Sequence, residues 1–158
     1  MINPSQKACE TIIEQVYTVR APHVNGYGRL FGGQLMQWID ETAGIAARRY
    51  AKSTVTTAAI DNLNFKYPAF QNDMIVLVAK ITYVGRTSME VRVDTYIENL
   101  QGYRNNINRA YVIMVAIDGD GKPVEIPTLE ISSEAEQAEW DAGKRRYELR
   151  RQRRVEGF

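Results

Sequence analysis

Asn25 and Asp40 stand 15 residues apart, and between them runs Tyr27-Gly28-Arg29-Leu30-Phe31-Gly32-Gly33-Gln34, a glycine-punctuated approach to a helical stretch. A carboxylate on a helix can take a proton from water, and a carboxamide can donate a hydrogen bond to an oxygen that gains charge. The 3.6-residue repeat from about Gly32 to Tyr50 puts Leu35, Met36, Ile39, Ala43, Ala46 and Ala47 on one apolar side, with Asp40 at its margin. At helical spacing Asp40 neighbours Gly33, Gln37, Gly44 and Ala47, most of them small. A glycine inside a helix costs roughly 1 kcal/mol relative to alanine, so the room beside Asp40 is expected to have a use. The start of the helix adds to this expectation. Its first amides lack intrahelical acceptors, and none of Arg29, Leu30 and Phe31 is a good cap. The N–H groups of Gly32 and Gly33 are therefore open to a ligand oxygen, and the helix dipole favours negative charge there. A solvated helix acid is the ordinary reading of Asp40 alone; together with the uncapped glycine entry the balance turns toward a site.

The elements that position these groups follow from hydrophobic period. Thr11 to Val19 reads as a first strand, Arg20 to Phe31 as a loop, and the helix comes next. Thr54 to Phe65 alternates Val55, Thr57, Ala59 and Asp61 against Thr56, Ala58 and Ile60. Met74 to Val84 is an almost continuously apolar strand, and Gly85 to Ser88 is a turn. Met89, Val91, Val93, Thr95 and Ile97 then alternate with Glu90, Arg92, Asp94, Tyr96 and Glu98, the pattern of a half-buried antiparallel strand. A loop over Gln101 to Asn106 leads to Ile107 to Ile117, which reads as a central strand ended by Asp118-Gly119-Asp120-Gly121. This order predicts an α+β domain in which five antiparallel strands curl around one long helix. Its exposed strand edges favour a dimer with a continuous sheet.

The whole-chain figures narrow the function. With 158 residues and a net charge of +1, the chain fits one globular domain with no overall pull toward nucleic acid or anionic membrane. No apolar run approaches the ~20 residues that span a bilayer, and Met1 to Glu10 has no leader-like apolar core. One cysteine, Cys9, and one histidine, His23, argue against a disulfide, a His/Cys metal site or a Cys/His nucleophilic pair, and a cytoplasmic setting is expected. From Ser132 onward, Glu134, Glu136, Glu139 and Asp141 precede seven bases, Lys144, Arg145, Arg146, Arg150, Arg151, Arg153 and Arg154. This predicts a C-terminal helix over 132–158, capped by Ser132 or Ser133, following a domain over 1–131. Its acidic first half favours a solvated or subunit-packing helix over nucleic-acid binding.

His23-Val24-Asn25-Gly26-Tyr27-Gly28, Leu30-Phe31-Gly32-Gly33-Gln34-Leu35-Met36, Trp38-Ile39-Asp40-Glu41 and Ala43-Gly44 resemble the hot dog fold acyl-CoA thioesterases of the cytosolic acyl-CoA hydrolase group. The resemblance continues through Thr57-Ala58-Ala59-Ile60-Asp61-Asn62, Phe65, Pro68, Tyr83 to Val91, Ala110-Tyr111 and Val115 to Asp118, covering roughly residues 10 to 130. It implies a long helix wrapped by an antiparallel sheet, and dimers that often assemble as trimers of dimers. It also implies catalysis by Asn25 and Asp40 meeting across the dimer interface, with Thr57 as a third active-site residue. Val24 and Gly26 depart from the threonine and histidine that often flank the family's asparagine, which bears on substrate preference. The implied reaction hydrolyses an acyl-CoA to a fatty acid and coenzyme A, with Asp40 as general base and Asn25 and the Gly32 and Gly33 amides as donors. The coenzyme A thioester is the substrate, and no metal or other cofactor is expected. Val84, Gly85, Arg86, Thr87 and Ser88 resemble the coenzyme A contact, Arg86 pairing with phosphate. Arg104 and Arg109 are weaker candidates for phosphate, Met36 and Ile39 are expected to line an acyl tunnel, and His23 reads as structural. A non-catalytic acyl-CoA-binding module on the same fold is the alternative.

Overall fold

The computed structural model of the chain describes residues 5–158. Residues 1–4, which the leader reading and the start of the 1–131 domain include, lie outside the described residues. The elements are β1 (Gln6–Lys7), β2 (Ile13–Thr18), α1 (Gly32–Ala51), β3 (Thr54–Asp61), β4 (Met74–Val84), β5 (Ser88–Glu98), β6 (Arg104–Ile117), β7 (Leu129–Glu130) and α2 (Glu134–Glu156). Five strands form one antiparallel sheet in the order β2-β4-β5-β6-β3, and β1 pairs with β7 in a small parallel ladder.

Helix α1 lies across one face of the sheet. Its buried stripe, Leu35, Trp38, Ile39, Ala43, Ala46, Ala47 and Tyr50, meets Ile75, Leu77, Ala79 and Ile81 of β4, Met89, Val91 and Val93 of β5, and Ala110, Val112, Met114 and Ala116 of β6. Burying one large aliphatic side chain is worth about 1.5–3 kcal/mol, so this contact holds the helix, and with it Asp40, in place. The small side of α1, built on alanine, lets helix and sheet approach closely. Among the described residues no helix is long and apolar enough to cross a membrane.

The structure corrects the expected elements in several places. The first strand begins at Ile13 because Ala8–Thr11 forms a 3₁₀ turn, in which the Thr11 hydroxyl donates to the Ala8 carbonyl at 2.7 Å. Strand β3 stops at Asp61, where Asn62 turns into a positive φ of 60°, and β6 begins at Arg104 rather than Ile107. The ladder shifts register between Thr57 and Ala59, leaving Ala58 as a bulge. A bulge reverses the alternation beyond it, so Asp61 does not share a face with Thr57 as the strict period predicts. Thr57 faces α1, whereas Asp61 faces α2.

Helix α2 accounts for the largest difference. Ser133 caps it, accepting from the Glu136 amide at 3.1 Å, and three of its bases, Arg146, Arg150 and Arg153, reach the outer face of the sheet instead of being wholly solvated. Arg146 bonds both oxygens of Glu90 at 2.8 and 2.9 Å and lies 3.7 Å over the Tyr111 ring. Arg150 joins Glu90 to Asp61, and Arg153 adds a second contact to Asp61. Arg92 pairs with Glu139, and Tyr83 packs against Trp140 and Tyr147. Glu90 is consequently 1% exposed, and Asp94, held by Arg92 and Arg109, is 3% exposed, so the polar face of β5 is buried, contrary to the half-buried strand expected. Gly143 permits this contact, since a Cβ there would lie 2.6 Å from Tyr83 Cβ.

Candidate active site

Asp40 projects from the flank of α1 toward the edge strand β3, where the Thr57 hydroxyl donates to its Oδ1 at 2.6 Å. The Thr57 oxygen also lies 3.4 Å from Met114 Sδ. This hydrogen bond holds one carboxylate oxygen; among the described residues none is made to Oδ2. The pair opens into a cleft of about 410 Å³ that Gln15, Tyr17, Gly44, Arg48 and Met114 also line. Tyr17 stacks on Trp38 with ring centres 4.5 Å apart and donates to Gln15 Oε1 at 2.9 Å. Burial first, and the Glu41 charge second, hold the Tyr17 phenol above its ordinary pKa, so it stays a neutral hydroxyl.

Gly44 sits one helical turn beyond Asp40. A Cβ added there would meet only Met114 Cε, at an ordinary 3.9 Å. The protomer's own packing does not require this glycine, so the space it leaves is available to something outside the protomer.

The Asn25 loop lies at the other end of α1. It is a tight hairpin in which Asn25 N donates to Arg29 O at 2.8 Å and Gly28 N to Asn25 O at 3.0 Å. Gly28, at φ +74°, makes the turn. The Asn25 Oδ1 accepts from Tyr27 N at 2.9 Å and from Arg29 N at 3.2 Å. Two donors at the oxygen fix which way the carboxamide faces, and Nδ2 is left as its available donor. Phe31, at the N-cap, provides no side-chain cap, so the Gly32 and Gly33 amides are uncapped as the sequence predicts. Aromatic rings crowd the Cβ positions of these glycines, Phe65 Cζ at 3.2 Å from that of Gly32 and Phe31 Cε1 at 2.5 Å from that of Gly33. Within one protomer Asn25 and Asp40 line separate cavities, the former in a hollow of about 260 Å³.

The turn Val84 to Ser88 closes the β4–β5 hairpin, with Gly85 N donating to Ser88 O at 2.8 Å. Across the sheet Val84 pairs with Met89, Met89 with Met114, and Met114 with Thr57, so the turn lies on the cross-strand row of the Asp40 partner. Three strand spacings separate them, about 14 Å. The Arg86 side chain is 82% exposed and stands 4.0 Å from Glu125, an ion pair too open to consume its charge. Arg104 and Arg109, by contrast, are already engaged. Arg104 is gripped by Glu14 and Glu98 at 2.7 Å, which raises its pKa, and Arg109 Nε reaches Asp94 Oδ1 at 2.5 Å. Ile39 is sealed in the core and Met36 is 41% exposed, so they do not together line a tunnel. His23 is held at Nδ1 by the Arg20 amide and stands edge-on to Trp38 at 5.0 Å, a structural placement. Among the described residues no cluster of His, Cys, Asp and Glu could hold a metal.

Gln15, Tyr17 and Arg48 escaped the sequence reading. Arg48, eight residues from Asp40, was legible from helical spacing; the strand residues were not, because their approach to α1 depends on the curl of the sheet.

The thioesterase superfamily model matches residues 27–102. YkhA of Bacillus subtilis, an uncharacterized acyl-CoA thioester hydrolase, is 35% identical over 138 residues, 86% of this chain and 80% of that protein. The chain belongs to the thioesterase superfamily. The acyl-CoA hydrolase of Staphylococcus aureus, solved with butyryl coenzyme A, coenzyme A and coenzyme A disulfide, superposes with a TM-score of 0.90 at 32% identity, over 97% of this chain and 94% of that one. Solved variants of that hydrolase carry alanine in place of an aspartate, an asparagine and a threonine. A hexameric acyl-CoA thioesterase gives a TM-score of 0.89 at 36% identity, over 95% and 97% of the two chains. The hot dog thioesterase fold expected from the sequence is thus borne out.

Proposed function

We propose that this protein is a homo-oligomeric acyl-CoA thioester hydrolase whose active sites form between copies of the chain. The observation that carries this is the Asp40 carboxylate, tethered by Thr57 in an open cleft with its second oxygen unengaged. Asp40 takes a proton from water as the water oxygen attacks the thioester carbonyl carbon. The negative charge that develops on the carbonyl oxygen is met by Asn25 Nδ2 and by the Gly32 and Gly33 amides of a neighbouring copy. When the intermediate collapses, the C–S bond breaks and the proton held on Asp40 passes to the leaving thiolate. Water and side chains suffice for this reaction, so it needs no metal or other cofactor.

The separation of Asn25 from Asp40 in one protomer supports a shared site. The solved Staphylococcus aureus variants also support it: their asparagine, aspartate and threonine are separated by the same 15 and 17 residues as Asn25, Asp40 and Thr57. The uncovered edge β3 can pair with its copy, giving a dimer that can assemble further as a trimer of dimers. The backbone groups of Val84 to Ser88 bond the pantetheine arm, and Arg86 meets phosphate. Residues 1–131 carry the catalysis, α2 fastens the sheet, and the cytoplasm is the setting.

Free-thiol release from a panel of acyl-CoAs tests the reaction. Asp40→Ala should lower turnover at least about 100-fold with the oligomer intact. Mixing Asn25→Ala with Asp40→Ala chains should restore part of the activity, because some interfaces then hold one complete site. Full activity in Asp40→Ala, or no recovery in verified mixed oligomers, would refute the reading.

A further inference from the structure

We propose that Asn25-Gly26 is a self-modification site, at which the Gly26 backbone nitrogen closes on the Asn25 carboxamide and the asparagine is converted to aspartate or isoaspartate. The conversion is a property of the loop alone; its cost to turnover rests on the thioesterase reading above.

The pair is the only asparagine-glycine step in the chain, and asparagine is among the thermolabile residues. An asparagine carboxamide can close a five-membered ring with the backbone nitrogen of the next residue. What ordinarily hinders closure is that residue's side chain, or a hydrogen bond that holds its N–H. Gly26 has no side chain, and nothing lies within 4 Å of where a Cβ would stand. Among the described residues Gly26 N donates no hydrogen bond, whereas the amides of Asn25, Tyr27, Gly28 and Arg29 all do. Both residues of the pair are exposed, and a site that consumes water admits it.

The donors at Asn25 Oδ1 act in the same direction. Tyr27 N at 2.9 Å and Arg29 N at 3.2 Å polarise the side-chain carbonyl. When Gly26 N adds to Cγ, that oxygen becomes the oxyanion, and two amides already point at it. Tyr27 N reaches Oδ1 because the Asn25 side chain folds back along its own backbone, which brings the carboxamide over the intervening Gly26 N. The contacts that orient the carboxamide for a thioester therefore also activate it toward its own chain.

The conversion balances with water as the one co-reactant. The Gly26 N–Cγ bond forms, the Cγ–Nδ2 bond breaks, and the proton lost from Gly26 N passes through solvent to the departing nitrogen, which leaves as ammonia. Water then opens the imide. Cleavage between nitrogen and Cγ gives aspartate, and cleavage between nitrogen and the Asn25 backbone carbonyl gives isoaspartate. Either product replaces the Nδ2 donor with a carboxylate, which repels the charge that the thioester oxygen gains; isoaspartate also lengthens the backbone inside the turn.

The test ages the whole oligomer in mildly alkaline buffer and follows two quantities in the same samples: the mass and isoaspartate content of the peptide holding Asn25, and thiol release from an acyl-CoA. Asn25 should convert before the chain's other asparagines. Activity should fall in step with the intact fraction, toward the floor set by a fresh Asn25→Asp variant, about 100-fold below the wild type. Gly26→Ala meets no atom and needs no positive φ, so it should melt as the wild type does and slow both losses several-fold, each measured against its own starting value. Asn25 still intact after other asparagines have converted, or equal ageing in Gly26→Ala, overturns the proposal. Conversion with thiol release undiminished upholds the modification and removes Asn25 from the thioesterase reading. If no acyl-CoA releases thiol, that reading fails, and the mass measurement still decides the modification.

Discussion

Thr57→Val removes the hydroxyl that tethers Asp40 while preserving the side chain's shape. The lost bond is a 2.6 Å donation to a carboxylate. Hydrogen bonds to charged groups contribute ~1.5–3 kcal/mol, and because Thr57 is exposed on an edge strand the low end applies. About 1.5 kcal/mol corresponds to roughly 10-fold in rate if the tether matters in the transition state. The expected pattern is kcat lowered about 10-fold with KM nearly unchanged, since Thr57 orients the base and does not grip the substrate. Thr57→Ser keeps the donor and should remain within about 3-fold of the wild type. Steady-state thiol release at saturating acyl-CoA measures both, with the oligomer checked by light scattering. Wild-type kcat in Thr57→Val would refute the tether. Equal damage in Thr57→Ser would assign the effect to the lost methyl group instead.

Gly28→Ala meets no atom within 4 Å but forces a Cβ into φ +74°, so kcat should fall with the orientation of Asn25, and Gly28→Asn, which accepts positive φ, should recover most of it; equal rates across Gly, Asn and Ala would refute the role. Gly44→Ala should raise the melting temperature through helix propensity, by roughly 1 kcal/mol, while lowering kcat/KM at least several-fold; unimpaired activity would show that nothing uses the space above this turn. Arg146→Met leaves Glu90 buried without its bidentate partner and should destabilise by about 3–5 kcal/mol in urea unfolding, while Lys144→Ala, on the exposed side of α2, should stay within about 0.5 kcal/mol. The Ser132 amide holds the Glu136 carboxyl below its usual pKa of 4.5, so its contribution to α2 is complete above that value and is lost as pH falls through the depressed one; helix melting followed by circular dichroism from pH 6 to 3 should show a larger acid loss in the wild type than in Glu136→Gln, which keeps the other carboxylate anchors of α2.

Much of this was legible in the chain because the residues concerned obey one local rule. The stripe from Leu35 to Ala47 has helical period whatever surrounds it, and the apolar run from Met74 to Val84 is a strand with boundaries that the structure matches. Asp40 at the margin of the stripe and the uncapped Gly32 could be read the same way. The illegible parts depend on two distant segments meeting. Glu90 and Asp94 alternate as solvent-facing residues do, and only distant arginines, Arg146 of α2 some 56 positions on from Glu90 and Arg109 of β6 beside Asp94, make them buried ones. The bulge at Ala58 leaves no trace in composition, yet it reverses the face of Asp61 and supplies α2 with its last anchor. Arg104 and Arg109 looked free for phosphate because their carboxylate partners lie on neighbouring strands.

The proposed sharing of a site between two chains agrees with the length of the helix itself. Gly32 and Asp40 are eight residues apart on α1, and at 1.5 Å per residue they are separated by about 12 Å along the axis. A water attacking a carbonyl carbon and the donors on that carbonyl's oxygen must lie within about 3 Å of their partners, so one α1 cannot bring its own carboxylate and its own first-turn amides to the same thioester. Two copies related by a twofold axis can, because running the helices in opposite directions sets the first turn of one beside the middle of the other. Gly44 lies on the same flank as Asp40, where such an approach needs room, and β3 offers the edge along which the two sheets can join. Each interface formed in this way holds two identical sites, so specific activity should fall in proportion to dimer content on dilution. A monomer that retains full turnover would overturn the reasoning.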